Sequence, residues 1–321
     1  MKQISVEIIQ KCPNRCMHCS SLSDSGCDVR IGTDQVKKII DSAASLHTEV
    51  LSISGGEPFL HDGLLEISAY AKAKGIAVYI YTCGVIFNDA GEVGSISEEM
   101  LCALHRIAVD KIIFDIPAIN EDVYDNFMGS TGHQKFAFES VCKAHRIGLY
   151  TEFHFVPTKI NLDEIEDVIR FAGESGASRV SFLGLVPHGR ADQYKDKLNL
   201  STEEAYALKE KLAQIEDQQI RIGIPLQMED SEYCCYAGRN KLCIRYDGLV
   251  FGCEAFKYIQ LRNSQGRAIK PDSVYDMPLE EIYTKSEYLR LEREFVARQL
   301  SAGGCGEKCP VQKRLRTKPV A

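Results

Sequence analysis

Six short β-rich runs alternate with six helical patterns over the first two thirds of the chain, and this alternation constrains the fold more than any other feature. Strands are predicted near 3–9, 49–54, 76–82, 110–116, 150–156 and 179–185, and helices near 33–46, 62–74, 97–108, 133–147, 163–175 and 202–216. Strands that alternate with helices build βαβ units around a parallel sheet, so an α/β fold with six β/α units is expected. In α/β barrels the chemistry sits at the C-terminal ends of the strands. Three motifs fall there: a cysteine-bearing run after the first strand, SISGGEP after the second and YTCGV after the third.

The first motif, QKCPNRCMHCSS, puts Cys12, Cys16 and Cys19 on one tight loop with Cx3Cx2C spacing. Thiolates select zinc, copper(I) or iron-sulfur clusters. A zinc site wants four closed ligands or three plus water, and its cysteines usually come in CxxC pairs with a second pair farther on, a partner this spacing lacks. Three sulfurs suit an iron-sulfur cluster with one iron left open. In SISGGEP, Ser52 to Pro58, two glycines let backbone approach a ligand closely and Glu57 adds a carboxylate. Alone, that run also reads as an ordinary strand-to-helix turn. Its pairing with the upstream cysteines makes it specific.

On Cx3Cx2C and GGEP the sequence resembles the radical SAM superfamily. The resemblance implies a partial, TIM-like (β/α)6 barrel and a 4Fe-4S cluster on Cys12, Cys16 and Cys19. It further implies that the open iron chelates the amino and carboxylate groups of S-adenosylmethionine. One electron, from a donor such as flavodoxin or ferredoxin, then cleaves it to methionine and a 5′-deoxyadenosyl radical. Gly55, Gly56, Glu57 and Pro58 match the family's GGEP, which contacts the methionine amino group. Asn161 after the fifth strand, and Leu185 in the LVPHGRA turn after the sixth, resemble positions that touch ribose, carboxylate or adenine. His18 stands where the family more often carries an aromatic residue, and an imidazole stacks there too.

Several strands carry polar residues on one alternating face, where a filled barrel would carry branched apolar ones. Ser5 shares a face with Glu7, Ser52 with Ser54, Tyr79 with Tyr81 and Cys83, and Glu152 with His154. Helices cover the outside of a parallel barrel, so these faces are expected to line a polar lumen. Glu152 and His154 are then candidates for contact with substrate or cofactor.

Beyond about residue 225 the alternation stops and a cysteine-rich region begins, which divides the chain into a barrel, 1–225, and an extension, 226–321. The extension reads as a β-hairpin turning at Asp247-Gly248, a long helical stretch over 278–300, and a final GGCGEKCP. Cys235, Cys253, Cys305 and Cys309 are its candidate ligands, with Cys234 and Cys243 as alternatives or spares. A zinc ribbon is one reading. The arrangement resembles the SPASM and Twitch extensions, and the cysteine-free run from Cys253 to Cys305 favours the shorter Twitch with one auxiliary 4Fe-4S cluster. Such a cluster, ligated by four cysteines, has no open iron and would accept or relay an electron, which favours net oxidation. Cys27, Cys102 and Cys142 read as loop or core thiols.

Composition excludes several classes. A formal net charge of −7 argues against a nucleic-acid backbone as the main partner. No apolar run reaches the length of a membrane span, and the first predicted strand leaves no room for a signal peptide, so a cytoplasmic location is expected. Thirteen cysteines in that setting favour metal ligation over disulfides. Three functions remain open. The first is a maturase that oxidises, crosslinks or epimerises a peptide, with a separate protein supplying any leader-binding domain. The second is a small-molecule dehydrogenase or epimerase acting on a sugar or aminocyclitol, in which Cys83, Cys234 or Cys243 returns a hydrogen. The third is an iron-sulfur sensor or electron carrier.

Overall fold

Apolar residues at every second position of the predicted strands need a cover of helices on one side, and the fold supplies it. The computed structural model describes residues 1–301 except 89, 218, 224–225 and 227–234, and also leaves out the side chains of 300 and 301. It opens with β1 (Gln3–Ile9), α1 (Thr33–Ser45), β2 (Val50–Gly55), α2 (Leu64–Ala73) and β3 (Ala77–Thr82). A small hairpin, β4 (Val85–Phe87) and β5 (Val93–Ser95), precedes α3 (Glu98–Ile107), β6 (Lys111–Asp115), α4 (Glu121–Met128), α5 (Gln134–Ile147) and β7 (Thr151–Phe155). Next come α6 (Ile165–Ser175), β8 (Arg179–Phe182), the single turns α7 (Arg190–Gln193) and α8 (Lys195–Leu198), α9 (Thr202–Ala213) and β9 (Ile220–Ile222). The rest holds β10 (Lys241–Ile244), β11 (Val250–Phe251), β12 (Leu261–Arg262), β13 (Ala268–Ile269), α10 (Leu279–Lys285) and α11 (Glu287–Ser301).

The hairpin β4–β5, the turns α7 and α8, strand β9 and the pair β12–β13 were not expected from the sequence, and two helical features differ as well. Helix α4 was not expected; Asn120 caps it by accepting the N–H groups of Asp122 and Val123 through Oδ1. The stretch 278–300 is two helices rather than one, because Ser286 is extended and its Oγ accepts the Leu289 N–H at 3.1 Å, capping α11.

The main sheet runs β11-β10-β1-β2-β3-β6-β7-β8-β9, parallel from β10 to β9, with β11 antiparallel at one edge. Its two edge strands, β11 and β9, do not pair with each other, so the architecture is an open, partial barrel. Strand β10, from the cysteine-rich region, extends the sheet by pairing parallel with β1, Gln3 opposite Lys241. Ile4, Val6, Leu51, Ile53, Phe153 and Phe155 point outward into the buried core under the helices. The other face is polar, with Ser5, Ser52 and Tyr79 in register on β1, β2 and β3.

Candidate active site

β1 leads directly into the loop carrying Cys12, Cys16 and Cys19, and neighbouring elements hold that loop from three sides. From the end of β2, the Gly56 N–H donates to Ile9 O at 2.7 Å and the Glu57 N–H to Lys11 O at 2.9 Å. A Cβ on Gly56 would overlap the carbonyl oxygens of Gln10 and Lys11. The glycine is thus required by the backbone of the cysteine loop itself, a nearer partner than the ligand inferred from sequence. From α4, Phe127 O accepts the Met17 N–H at 2.9 Å and Met128 O the Arg15 N–H at 3.0 Å. From the turn after β8, the buried Arg190 guanidinium donates to Cys16 O at 2.9 Å and to Ser23 O, while its own N–H donates to Cys19 O at 3.0 Å. A rigid planar fork suits two carbonyl acceptors at once. Sequence reasoning marked this turn for Leu185 and missed Arg190, since nothing local to an arginine in a turn tells which distant carbonyls it will meet.

The three cysteines line a cavity of about 490 Å³ on the polar face of the sheet. Burial, then the neighbouring Cys12 and Cys19, push the Cys16 thiol up, so sulfurs crowded in a low-dielectric site need a positive partner to ionise. Glu7 Oε2, Asn14 Nδ2, His18 Nδ1 and Ser23 Oγ are buried beside them with no hydrogen-bond partner among the described residues, and all four residues line the cavity. Converging thiols with orphaned polar atoms fit a polar, metal-bearing guest. No three His, Cys, Asp or Glu side chains among the described residues gather tightly enough to hold a single metal ion. A cubane needs no such gathering, because its cysteines each bind a different iron. The His18 ring lies 4.7 Å from that of Phe127, centroid to centroid, and His18 Nε2 is 3.2 Å from Asp115 Oδ2.

Of the other residues singled out in the sequence, Gly55, Gly56, Cys83, His154 and Leu185 line the same cavity. Glu57, Pro58, Glu152, Asn161 and Cys243 do not. The Glu57 carboxylate accepts from Thr82 Oγ1 at 2.8 Å, the Cys83 N–H at 2.9 Å and the Phe59 N–H at 3.2 Å, and burial raises its pKa to about 7 despite these donors. Cys83 Sγ donates to Glu57 at 3.0 Å; its hydrogen bond with Cys12, then burial, push that thiol up. Burial opposes ionisation of Glu152, but His154, 3.6 Å away, and the hydrogen bond from Ser181 outweigh it and hold the carboxyl at about 2. Glu152 thereby braces His154 from behind the cavity wall. Asn161 spends its amide on Pro117 O, Val156 O and Thr158, shaping its own loop. Cys243 is fully buried, and desolvation raises its pKa.

Cys235 and Cys253 share a small apolar cluster with Phe251, Phe256 and Tyr288. Cys234, Cys305 and Cys309 lie outside the described residues. The region after β10 reaches the cavity through Glu254, which pairs with Lys241 at 2.8 Å and accepts from Ser5 Oγ at 2.8 Å. Lys257 goes further in. Its buried ammonium donates to Glu7 Oε1 at 2.6 Å, Ser20 Oγ at 2.9 Å and Ser21 Oγ at 3.0 Å.

Residues 6–172, more than half of the chain, match the model of the radical SAM superfamily. The chain belongs to that superfamily. It is therefore an enzyme, and the membership implies a 4Fe-4S cluster and S-adenosylmethionine. The radical SAM chain is 30% identical over 195 residues to the AdoMet-dependent heme synthase of Methanosarcina barkeri, covering 59% of this chain and 52% of that one. It is 28% identical over 266 residues to the PqqA peptide cyclase of Ruegeria pomeroyi, covering 79% of this chain and 67% of the relative. The chain thus spans about half the length of the heme synthase. The fold is similar to that of Streptococcus suis SuiB bound to S-adenosylmethionine, with a TM-score of 0.69 at 15% identity over 91% of this chain and 68% of SuiB. No described helix is long and apolar enough to cross a membrane.

Proposed function

We propose that this radical SAM enzyme abstracts hydrogen from a carbon of a peptide substrate to give an oxidised, crosslinked or epimerised residue. The observation that carries the reading is the opening of three crowded thiols onto one polar cavity. Cys12, Cys16 and Cys19 would hold the 4Fe-4S cluster, and Gly55, Gly56 and Leu185 would contact S-adenosylmethionine. When bound, the two supply a 5′-deoxyadenosyl radical, while the protein orients the substrate and shields it from water. Arg190 and Gly56 fix the loop, Glu152 fixes His154, and Cys83 is the thiol poised on the cavity wall. Cys235 and Cys253, with Cys305 and Cys309, would hold one auxiliary 4Fe-4S cluster in the extension, 226–321.

The peptide assignment draws on the PqqA peptide cyclase similarity, which covers 79% of this chain, more than residues 1–225 can supply. A tetrapyrrole is the second reading, favoured by the 30% identity to heme synthase and by 27% identity over 197 residues to the Fe-coproporphyrin III synthase of Methanosarcina barkeri. Among small molecules these relatives favour it over a sugar or aminocyclitol. Anaerobic reconstitution with iron and sulfide, followed by dithionite and S-adenosylmethionine, tests the reading. The wild type should yield 5′-deoxyadenosine and the C12A/C16A/C19A variant none. Equal yields from both would sink it.

A further inference from the structure

The cavity wall carries charges from several strands, and nearly all of them are matched. Glu7 pairs with Lys257 at 2.6 Å, Glu254 with Lys241 at 2.8 Å and Asp115 with His18 at 3.2 Å. Just behind the wall, Glu152 pairs with Lys111 at 3.2 Å. Arg221 breaks the pattern. Its guanidinium lines the cavity from β9, is solvent-exposed, and has no carboxylate within ion-pair distance among the described residues. Its contact is a 3.5 Å approach to Ser181 Oγ, and that hydroxyl already donates to Glu152. The register sets Arg221 opposite Ser181, and Ser181 opposite His154, so arginine and imidazole stand two strands apart on one row of the lumen.

We propose that Arg221 is a specificity-determining residue that anchors a carboxylate of the substrate in the cavity, with His154 on the same row as a second contact. The inference rests on the substrate reading above and narrows it to acid-bearing substrates. Two sources share that chemistry: an acidic side chain of a peptide and a propionate of a tetrapyrrole. A guanidinium offers a carboxylate two parallel N–H donors, and charge-assisted bonds of this kind are among the stronger contacts a site can make. A site with a cation already in place discriminates against the neutral amide, which leaves the charge unpaired.

The chain contains no tryptophan, so a tryptophan-bearing probe reports binding by fluorescence against a dark background. In the first arm, reconstituted holoenzyme is titrated with acetyl-Gly-Glu-Trp-Gly-amide and with its Gln counterpart. In the second, coproporphyrin III and its tetramethyl ester are followed through the Soret band. The wild type should prefer the acid in one arm by about tenfold or more, and that arm names the source. R221Q should cut the preference to less than about threefold and R221K should keep part of it, with all three proteins melting alike because the residue is exposed. No acid preference in either arm, or a preference that survives in R221Q, overturns the proposal. So does a matching loss of affinity for S-adenosylmethionine in R221Q, which would put Arg221 on the cofactor. A holoenzyme that makes 5′-deoxyadenosine yet binds acid and amide alike refutes this site alone. One that makes none refutes the underlying reading.

Discussion

Replacing Lys257 by Met should unlock the cysteine loop. The side chain is 0% exposed and Glu7 beside it 5%, so the variant strands a carboxylate in the interior. Burial alone would depress the lysine's pKa; the adjacent Glu7 outweighs it and holds the ammonium above its ordinary range, so the lysine stays charged. Removing one partner of a buried pair costs about 3–5 kcal/mol. An unfolding entropy of about 2.1 cal/mol/K per residue over 321 residues turns this into a drop in Tm of about 4–8 °C. The donors to Ser20 and Ser21 go too, so the stretch after Cys19 loses its tether and iron bound per chain should fall. Replacing both charges, as in E7Q/K257M, removes the stranded carboxylate and should restore at least about half of the lost stability. Anaerobic thermal melts of the four proteins in the cycle, with iron analysis on each, decide the matter. A double variant that melts no higher than K257M would refute the claim that the stranded charge is what destabilises.

Two further substitutions separate cofactor support from general stability. G56A, where a Cβ meets the rigid carbonyls of Gln10 and Lys11, should cost about 1–3 kcal/mol and lower iron content, whereas G173A, on α6 with open space around it, should stabilise by about 0.4–1 kcal/mol; urea melts with iron analysis check both. R190M should release the cysteine loop and reduce the cluster's absorbance near 400 nm, and R190K should fail to rescue it, because a lysine cannot serve Cys16 O and Ser23 O in one plane; equal iron retention in R190K and wild type would count against the clamp.

The six β/α units were legible because each strand carries its own outward apolar set, as in Ile4 and Val6 or Phe153 and Phe155, and that alternation is local. The polar inner face was legible for the same reason, and Ser5, Tyr81, Cys83 and His154 do line one cavity. Side-chain destinations were not. Glu152 and His154 share a face in sequence, yet Glu152 is drawn back by Lys111 and Ser181, which arrive from neighbouring strands. Asn161 looked available for a ligand until Pro117 O and Val156 O claimed its amide. The break at Ser286 had a local sign, a serine followed by Glu287 in the first turn of a helix, that the longer apolar pattern hid.

The least legible feature is how the cysteine-rich region meets the barrel. Its hairpin could be read from Asp247-Gly248, but which strand β10 would join depends on a partner more than two hundred residues away, and no window of sequence contains both. Pairing β10 with β1 places Lys241 opposite Gln3, carries Glu254 to the cavity and brings Lys257 to Glu7. These residues supply the counter-charges to Glu7 and to each other, so the cysteine-rich region helps neutralise the same lumen whose thiols come from the first strand's loop. A truncation before β10 would leave Glu7 buried without its lysine and expose the β1 edge. The cysteine-rich region is part of the site's electrostatics through Lys241, Glu254 and Lys257 alone.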